Sequence, residues 1–168
     1  TSATAPVDMV HPLAPNVPIT LQTLWVYLAG IVLGPLWAGV AFTLYLLAGL
    51  IGLPVFAGGN AGLGVILGPT GGFLLGFLLA AILIGAIVHR SIEPRRLSSV
   101  SLTRMTLALL AGLVLIYAVG APWLGYSYEW SITKTLVTGA IVFIPGDLVK
   151  IGATLALVEG GGLDAIAD

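Results

Sequence analysis

A chain of 168 residues with 58% hydrophobic residues, 8% charged residues and a net charge of −1 has too little polar surface to cover a water-soluble globule. It has no basic tract, which argues against a nucleic-acid partner, and no cysteine, which excludes disulfides, thiol catalysis and the usual structural zinc sites. We therefore predict a single-domain, all-α, polytopic transmembrane helical bundle over residues 1–168.

Residues 1–20 are polar and contain four prolines, at positions 6, 12, 15 and 18. Proline interrupts helices, and no basic segment precedes a long apolar run, so this stretch predicts a tail or loop at the membrane surface and not a signal peptide. The chain begins at Thr1 without an initiator methionine. We accordingly expect its start to be truncated.

The first long apolar stretch covers residues 21–51. As one helix it would extend about 46 Å at about 1.5 Å per residue, whereas the hydrocarbon core of a bilayer is about 30 Å thick. The dipeptide Gly34-Pro35 is typical of a helix break. We predict two short antiparallel spans, 21–34 and 36–52, that locally thin the bilayer or tilt within it.

A glycine-rich loop runs from Leu53 to about Pro69. Glycine lacks a Cβ and permits left-handed backbone and close approach of a ligand, so this loop is predicted to fold over a binding site. A third span, 70–88, follows. Small residues recur there at every fourth position, a pattern that favours close helix packing and comprises Gly68, Gly72, Gly76 and Ala80.

The consecutive glycines Gly71-Gly72 exceed what packing requires, and N–H groups at a helix start can point at a ligand.

Five of the eight Lys, Arg and His residues lie in the loop 89–104. Short arginine-rich loops remain cytoplasmic, which predicts that this loop is inside and the glycine-rich loop outside. A fourth span, 102–120, leads to residues 121–131, whose aromatic residues are typical of an interfacial belt.

The last span, residues 132–158, contains the segment Pro145-Gly146-Asp147-Leu148-Val149-Lys150. Proline followed by glycine predicts a kink and a new helical start, with Asp147 near its N-terminus. Asp147 and Lys150 are three residues apart and therefore share a helix face. Two interpretations stay open: an ion pair that merely tolerates the membrane, or a pair that also offers an acceptor and a cation to a polar ligand.

Four segments in this order resemble the BioY family: Val17 to Thr23, Tyr45 to Gly59, Gly68 to Phe77, and Pro145 to Lys150. BioY proteins are the biotin-binding S-components of energy-coupling factor (ECF) vitamin transporters. The resemblance runs from about Pro15 to Leu157. It implies a six-helix membrane bundle, of which five spans are visible here, so we expect the family's first helix to be absent from this chain.

The resemblance also implies uptake of biotin together with a transmembrane coupling protein and two ATP-binding cassette ATPases, with no cofactor. On this basis we predict a cell-membrane transporter subunit and not an enzyme. The predicted substrate-binding residues are Gln22, Tyr45, Asn60, Gly68, Thr70, Gly71, Gly72, Asp147 and Lys150.

Two alternative functions stay open, a membrane scaffold and an S-component for another small vitamin. A P-loop nucleotide site is excluded because Phe73, and not Lys-Ser/Thr, follows the Gly-Pro-Thr-Gly-Gly segment. A catalytic or metal centre is not expected, because both histidines, at positions 11 and 89, fall outside the predicted spans and the acidic residues are scattered.

Overall fold

The computed structural model describes residues 9–11, 14–19, 21–92, 94 and 96–161. Its helices are α1 (Gln22–Leu50), α2 (Leu63–Ile66), α3 (Gly71–His89), α4 (Leu102–Ser127), α5 (Ile132–Leu136) and α6 (Ile144–Glu159). Two short strands, β1 (Met9–His11) and β2 (Ala14–Ile19), pair antiparallel ahead of the bundle. The remainder of the predicted N-terminal tail lies outside the described residues.

By length and composition, four helical segments of the described chain could cross a membrane, namely Gln22–Leu50, Gly71–His89, Leu102–Ser127 and Ile132–Glu159, and the first of them is divided into two arms at Gly34. The predicted all-α membrane bundle is therefore confirmed. We call the end of the bundle that carries residues 51–70 the loop end, and the opposite end, which carries residues 90–101, the arginine end.

The helix α1 reverses direction at Gly34. This residue has a φ of 71° and a ψ of 176°, a backbone conformation that glycine adopts without strain. Gln22 Nε2 donates a hydrogen bond to Tyr45 Oη at 2.7 Å across 23 positions of sequence, a separation that a straight helix would stretch to about 34 Å. The two arms, 22–33 and 35–50, thus lie side by side, which confirms the predicted break and antiparallel pair.

The reversal is secured by the last residue of α3. Pro35 lacks an N–H, so the carbonyl of Ile31, four residues earlier, has lost its usual helical donor. His89 is fully buried, and its Nε2 lies 2.7 Å from that carbonyl oxygen. A carbonyl only accepts, so Nε2 carries the proton. His89, which we assigned to the loop outside the spans, is in fact a core residue at the arginine end.

Glycines bring α1, α3 and α4 into close contact. A Cβ added at Gly76 would lie 3.2 Å from the Cα of Ile116, and one at Gly85 would lie 2.5 Å from the backbone nitrogen of Pro35. These distances leave no room for a side chain, so the helix backbones approach each other directly. The predicted packing face on α3 is confirmed.

The second half of the chain differs from prediction at two places. The helix α4 continues to Ser127, through Pro122, so that the first residues assigned to an aromatic loop are helical. Between α5 and α6, Val137–Ile141 forms a π-helical turn, in which Val142 N donates to Val137 O at 3.2 Å. The helix α6 then begins at Ile144 with Pro145 in its first turn and Asp147 near its N-terminus, which confirms the predicted new helical start.

Candidate functional site

A polar cluster joins three helices inside the bundle. Asp147 on α6 is only 2% exposed. Its Oδ1 accepts hydrogen bonds from Thr23 Oγ1 of α1 at 2.7 Å and from Lys150 Nζ at 2.8 Å, and its Oδ2 accepts one from Tyr117 Oη of α4 at 2.5 Å. Lys150 Nζ also donates to Thr23 Oγ1 at 2.8 Å. We refer to Thr23, Tyr117, Asp147 and Lys150 as the Asp147 cluster.

Local structure explains how the cluster forms. Asp147 lies in the first turn of α6, where the helix dipole favours a negative charge. Lys150 lies three residues later on the same helix face, which allows the direct ion pair. A buried charge is costly unless it is paired and hydrogen-bonded. With three donors on its two oxygens, the Asp147 carboxylate meets that condition.

The Asp147 cluster faces a cavity of about 380 Å³ near the loop end. Aromatic and aliphatic side chains supply most of its wall, among them Phe56, Val65, Phe73, Leu74, Phe77, Ile116, Tyr128, Val142 and Phe143. Small-molecule sites are typically apolar cavities of about 300–1,000 Å³ with a few placed polar groups. This cavity has that form, with an acceptor and a cationic donor side by side.

The glycine-rich loop covers the cavity at the loop end. Gly58, Gly59 and Gly62 have φ values of 70°, 72° and 93°, which permit tight turns that other residues adopt only with strain. Asn60 Nδ2 donates to the carbonyl oxygen of Ala57 at 2.7 Å and so closes one of these turns. The indole Nε1 of Trp123 on α4 donates to Gly68 O at 2.9 Å and ties the loop to the bundle.

The structure separates the nine predicted substrate-binding residues into two groups. Six of them line the cavity: Gln22, Asn60, Gly68, Thr70, Asp147 and Lys150. The other three are absent from its described wall. Tyr45 lies behind Gln22 and accepts its hydrogen bond.

The glycine pair at the start of α3 serves packing. A Cβ at Gly71 would lie 1.8 Å from the carbonyl oxygen of Ile66, and one at Gly72 would lie 2.3 Å from the Cβ of Trp123. Both positions are buried against protein atoms, so packing accounts for the pair that we expected to exceed what packing requires. The reason is that a short helix, α2, and the indole of Trp123 occupy the space around them. The N–H of Gly71, which we expected to point at a ligand, donates to Gly68 O at 3.0 Å.

Sequence reasoning did not select several residues of the wall. Thr23 and Tyr117 complete the Asp147 cluster, and Tyr128 belongs to the predicted aromatic belt yet lines the cavity. A polar residue in an apolar helix was the available signal for Thr23 and Tyr117. No spacing rule links them to Asp147, because the contact depends on how three helices pack.

The sequence profile of the BioY family matches residues 1–163. This chain belongs to the BioY family. The BioY relative from Rhodobacter capsulatus, named biotin transporter BioY, is 45% identical over 152 residues, which cover 85% of this chain and 77% of the relative. The BioY relative of the same name from Rhizobium etli is 38% identical over 135 residues, covering 80% and 72% of the two chains.

A crystal structure of the S-component for biotin from an ECF-type ABC transporter superimposes on the chain with a TM-score of 0.76. The two sequences are 33% identical, and the match covers 85% of this chain and 74% of that one. The fold described above is therefore that of an S-component, and the BioY resemblance noted in the sequence is confirmed.

Proposed function

We propose that this protein captures biotin in the cavity above the Asp147 cluster and acts as the substrate-binding S-component of an ECF-type transporter. The observation that carries the proposal is the buried Asp147–Lys150 pair at the wall of a small apolar cavity. A scaffold needs glycine-mediated helix packing but has no use for two charges facing an internal cavity, since intramembrane charges are costly to place.

The chemistry of the cavity suits biotin. The ureido ring of biotin has a carbonyl acceptor beside two N–H donors, and the cluster offers a cationic donor, Lys150, beside an anionic acceptor, Asp147. Hydrogen bonds to charged groups are stronger than neutral ones. The fused rings and the valeryl chain are apolar and match the phenylalanine-rich wall. Asn60 and Thr70 at the loop end supply further polar groups.

The energising partners belong to the same proposal. ATP hydrolysis is assigned to two ATP-binding cassette ATPases that act through a transmembrane coupling protein, as the resemblance to ECF S-components implies. The described residues contain no group of three His, Asp or Glu placed to hold a metal ion. We propose, on the basis of that resemblance, that the chain contributes substrate capture and that its partners hydrolyse ATP.

The binding proposal is tested by removing both charges at once. The variant Asp147→Asn with Lys150→Met is expected to fold, because replacing both members of a buried pair is often nearly neutral. Its dissociation constant for biotin should rise about tenfold or more, as expected for the loss of about 1.5–3 kcal/mol from a hydrogen bond to a charged group. Isothermal titration calorimetry on the detergent-purified protein measures this change.

The matched control is Glu129→Gln with Lys134→Met. It also removes one acid and one base, but both residues are exposed, and Lys134 Nζ lies 4.6 Å from the centroid of the Trp130 ring. This control should bind biotin as the unmodified protein does. Unchanged biotin affinity in the Asp147/Lys150 variant would contradict the assignment of these two residues to the binding site. A protein that neither retains biotin after purification, by mass spectrometry, nor binds added biotin would contradict the function.

We further propose that the glycine-rich loop faces outside and the loop 89–104 faces the cytoplasm. The chain has no cysteine, so single cysteines introduced as Ala61→Cys and Ser99→Cys are unique labelling sites. An impermeant thiol reagent applied to intact cells should label Ala61→Cys, less so with biotin present, and leave Ser99→Cys unlabelled. Labelling of Ser99→Cys from outside would reverse the assignment.

A further inference from the structure

Tyr27, on the first arm of α1, is a buried tyrosine that the cavity does not use. Its side chain is 0% exposed, and its hydroxyl has no hydrogen-bond partner among the described residues. Burying a hydroxyl without a partner costs free energy. Phenylalanine would fill nearly the same space without that cost, so the hydroxyl calls for a role beyond packing.

The position of Tyr27 connects it to the Asp147 cluster. Residues four apart on a helix share one face, so Tyr27 lies one turn beyond Thr23, toward the arginine end. Thr23 is itself bonded to Asp147. The helix face that carries Tyr27 is therefore the face that meets the Asp147 cluster. Tyr27 is absent from the described cavity wall.

Ligand binding changes which hydrogen-bond donors are available to the Asp147 carboxylate. Lys150 Nζ donates hydrogen bonds to both Asp147 and Thr23. A ligand oxygen that recruits Lys150 Nζ draws the ammonium away from Oδ1. The carboxylate then loses a charge-assisted hydrogen bond in a nearly dry site, where such a loss is expensive.

We propose that the Tyr27 hydroxyl is the reserve donor that takes a place at Asp147 when Lys150 turns toward the ligand. Tyr27 is in this view a positioning residue, which acts on the ligand through Asp147 and makes no contact of its own. The proposal rests on the proposed function in one respect, namely that the ligand engages Lys150.

The test compares Tyr27→Phe with Tyr126→Phe, the same chemical change at a residue that is 89% exposed. In Tyr27→Phe the thermal midpoint of the ligand-free protein should stay the same or rise, because the substitution removes an unpaired buried hydroxyl. Its dissociation constant for biotin should rise about tenfold, the effect of one hydrogen bond to a charged group. Tyr126→Phe should change neither quantity.

Each contrary result identifies what fails. An unchanged biotin affinity in Tyr27→Phe, with normal binding by the unmodified protein, overturns the role of Tyr27 and leaves the function intact. A lower ligand-free midpoint, or failure to fold, also overturns it, because the hydroxyl would then already be bonded without ligand. Lack of biotin binding by the unmodified protein points instead to the proposed function and removes the premise of the inference.

Discussion

The helix α3 and the last helical segment, Ile132–Glu159, hold their places in different ways. Of the most apolar stretch of α3, 56% is buried, against 17% for the last segment. Glycines press α3 against both of its neighbours, whereas Gly146 and Gly152 of α6 have no atoms within 4 Å of an added Cβ. The last segment nevertheless carries both charges of the cavity.

This difference indicates a division of labour. The close packing of α1, α3 and α4 forms a rigid frame, because backbone contacts at glycines leave few alternative arrangements. The last segment is joined to that frame partly by the hydrogen bonds of the Asp147 cluster. A binding site on a loosely packed element can respond when a ligand changes those bonds.

The largest effect is expected where one charge of the cluster is left alone. Lys150→Met removes the cation and leaves the buried Asp147 carboxylate, which should cost about 3–5 kcal/mol of stability. The double variant with Asp147→Asn should be markedly more stable than this single change. Thermal unfolding in detergent compares them, and a double variant less stable than Lys150→Met alone would show that the cluster stabilises the last segment in its own right.

The second-largest loss of stability is expected from a steric clash between α3 and α1, inside the rigid frame. In Gly85→Ala the new Cβ would meet backbone atoms of Gly34 and Pro35, which cannot move without opening the reversal of α1. Overpacking usually costs about 1–3 kcal/mol, and a backbone contact should lie at the upper end of that range.

Gly152→Ala is the matched control for this clash, because a Cβ at that position on α6 meets nothing within 4 Å. Alanine is a better helix former than glycine by about 0.8–1.0 kcal/mol, so this control should raise the thermal midpoint. If both variants lowered the thermal midpoint by a similar amount, the frame and the last segment would not differ in packing as described.

A smaller effect is expected at the reversal itself. His89→Leu removes the donor to the buried Ile31 carbonyl and should cost about 1–3 kcal/mol, the range for an unsatisfied buried polar group. Thr106→Val is a suitable control, since the Thr106 hydroxyl also donates to a carbonyl oxygen but at an exposed site on α4. Equal thermal midpoints for the two variants would mean that His89 does not secure the reversal.

The smallest effect concerns the tie between loop and frame. Trp123→Phe keeps most of the ring but loses the bond to Gly68 O, worth about 0.5–1.5 kcal/mol. Biotin dissociation should become several-fold faster because the covering loop opens more easily. Trp25→Phe, at a residue 65% exposed, is the control. Stopped-flow displacement measures the rate of biotin dissociation from each variant. Equal rates would mean that the bond between Trp123 and the loop does not influence ligand release.

The sequence was sufficient to predict the membrane-spanning segments and the reversal of α1, since apolar length, Gly34-Pro35 and the four-residue glycine spacing each reflect a local physical requirement. It also predicted the Asp147–Lys150 pair, which depends only on spacing along one helix. It did not predict the continuation of α4 to Ser127 or the π-helical turn at Val137–Ile141. Thr23 and Tyr117 could not be assigned to the cluster in this way, because their contacts join distant segments. Gly71 and Gly72 show the converse limit: glycine indicates close approach but does not tell whether a ligand or Trp123 approaches.

The reversal at Gly34 also bears on how the protein is made. The two arms of α1 extend about 18 and 24 Å at about 1.5 Å per residue, so each is shorter than a bilayer core of about 30 Å. They therefore enter the membrane most readily as one hairpin. A residue that disfavours positive φ at position 34 would make this hairpin harder to form during insertion. Gly34 thus bears on how the nascent chain enters the bilayer, whereas the arginine-rich loop bears on its orientation.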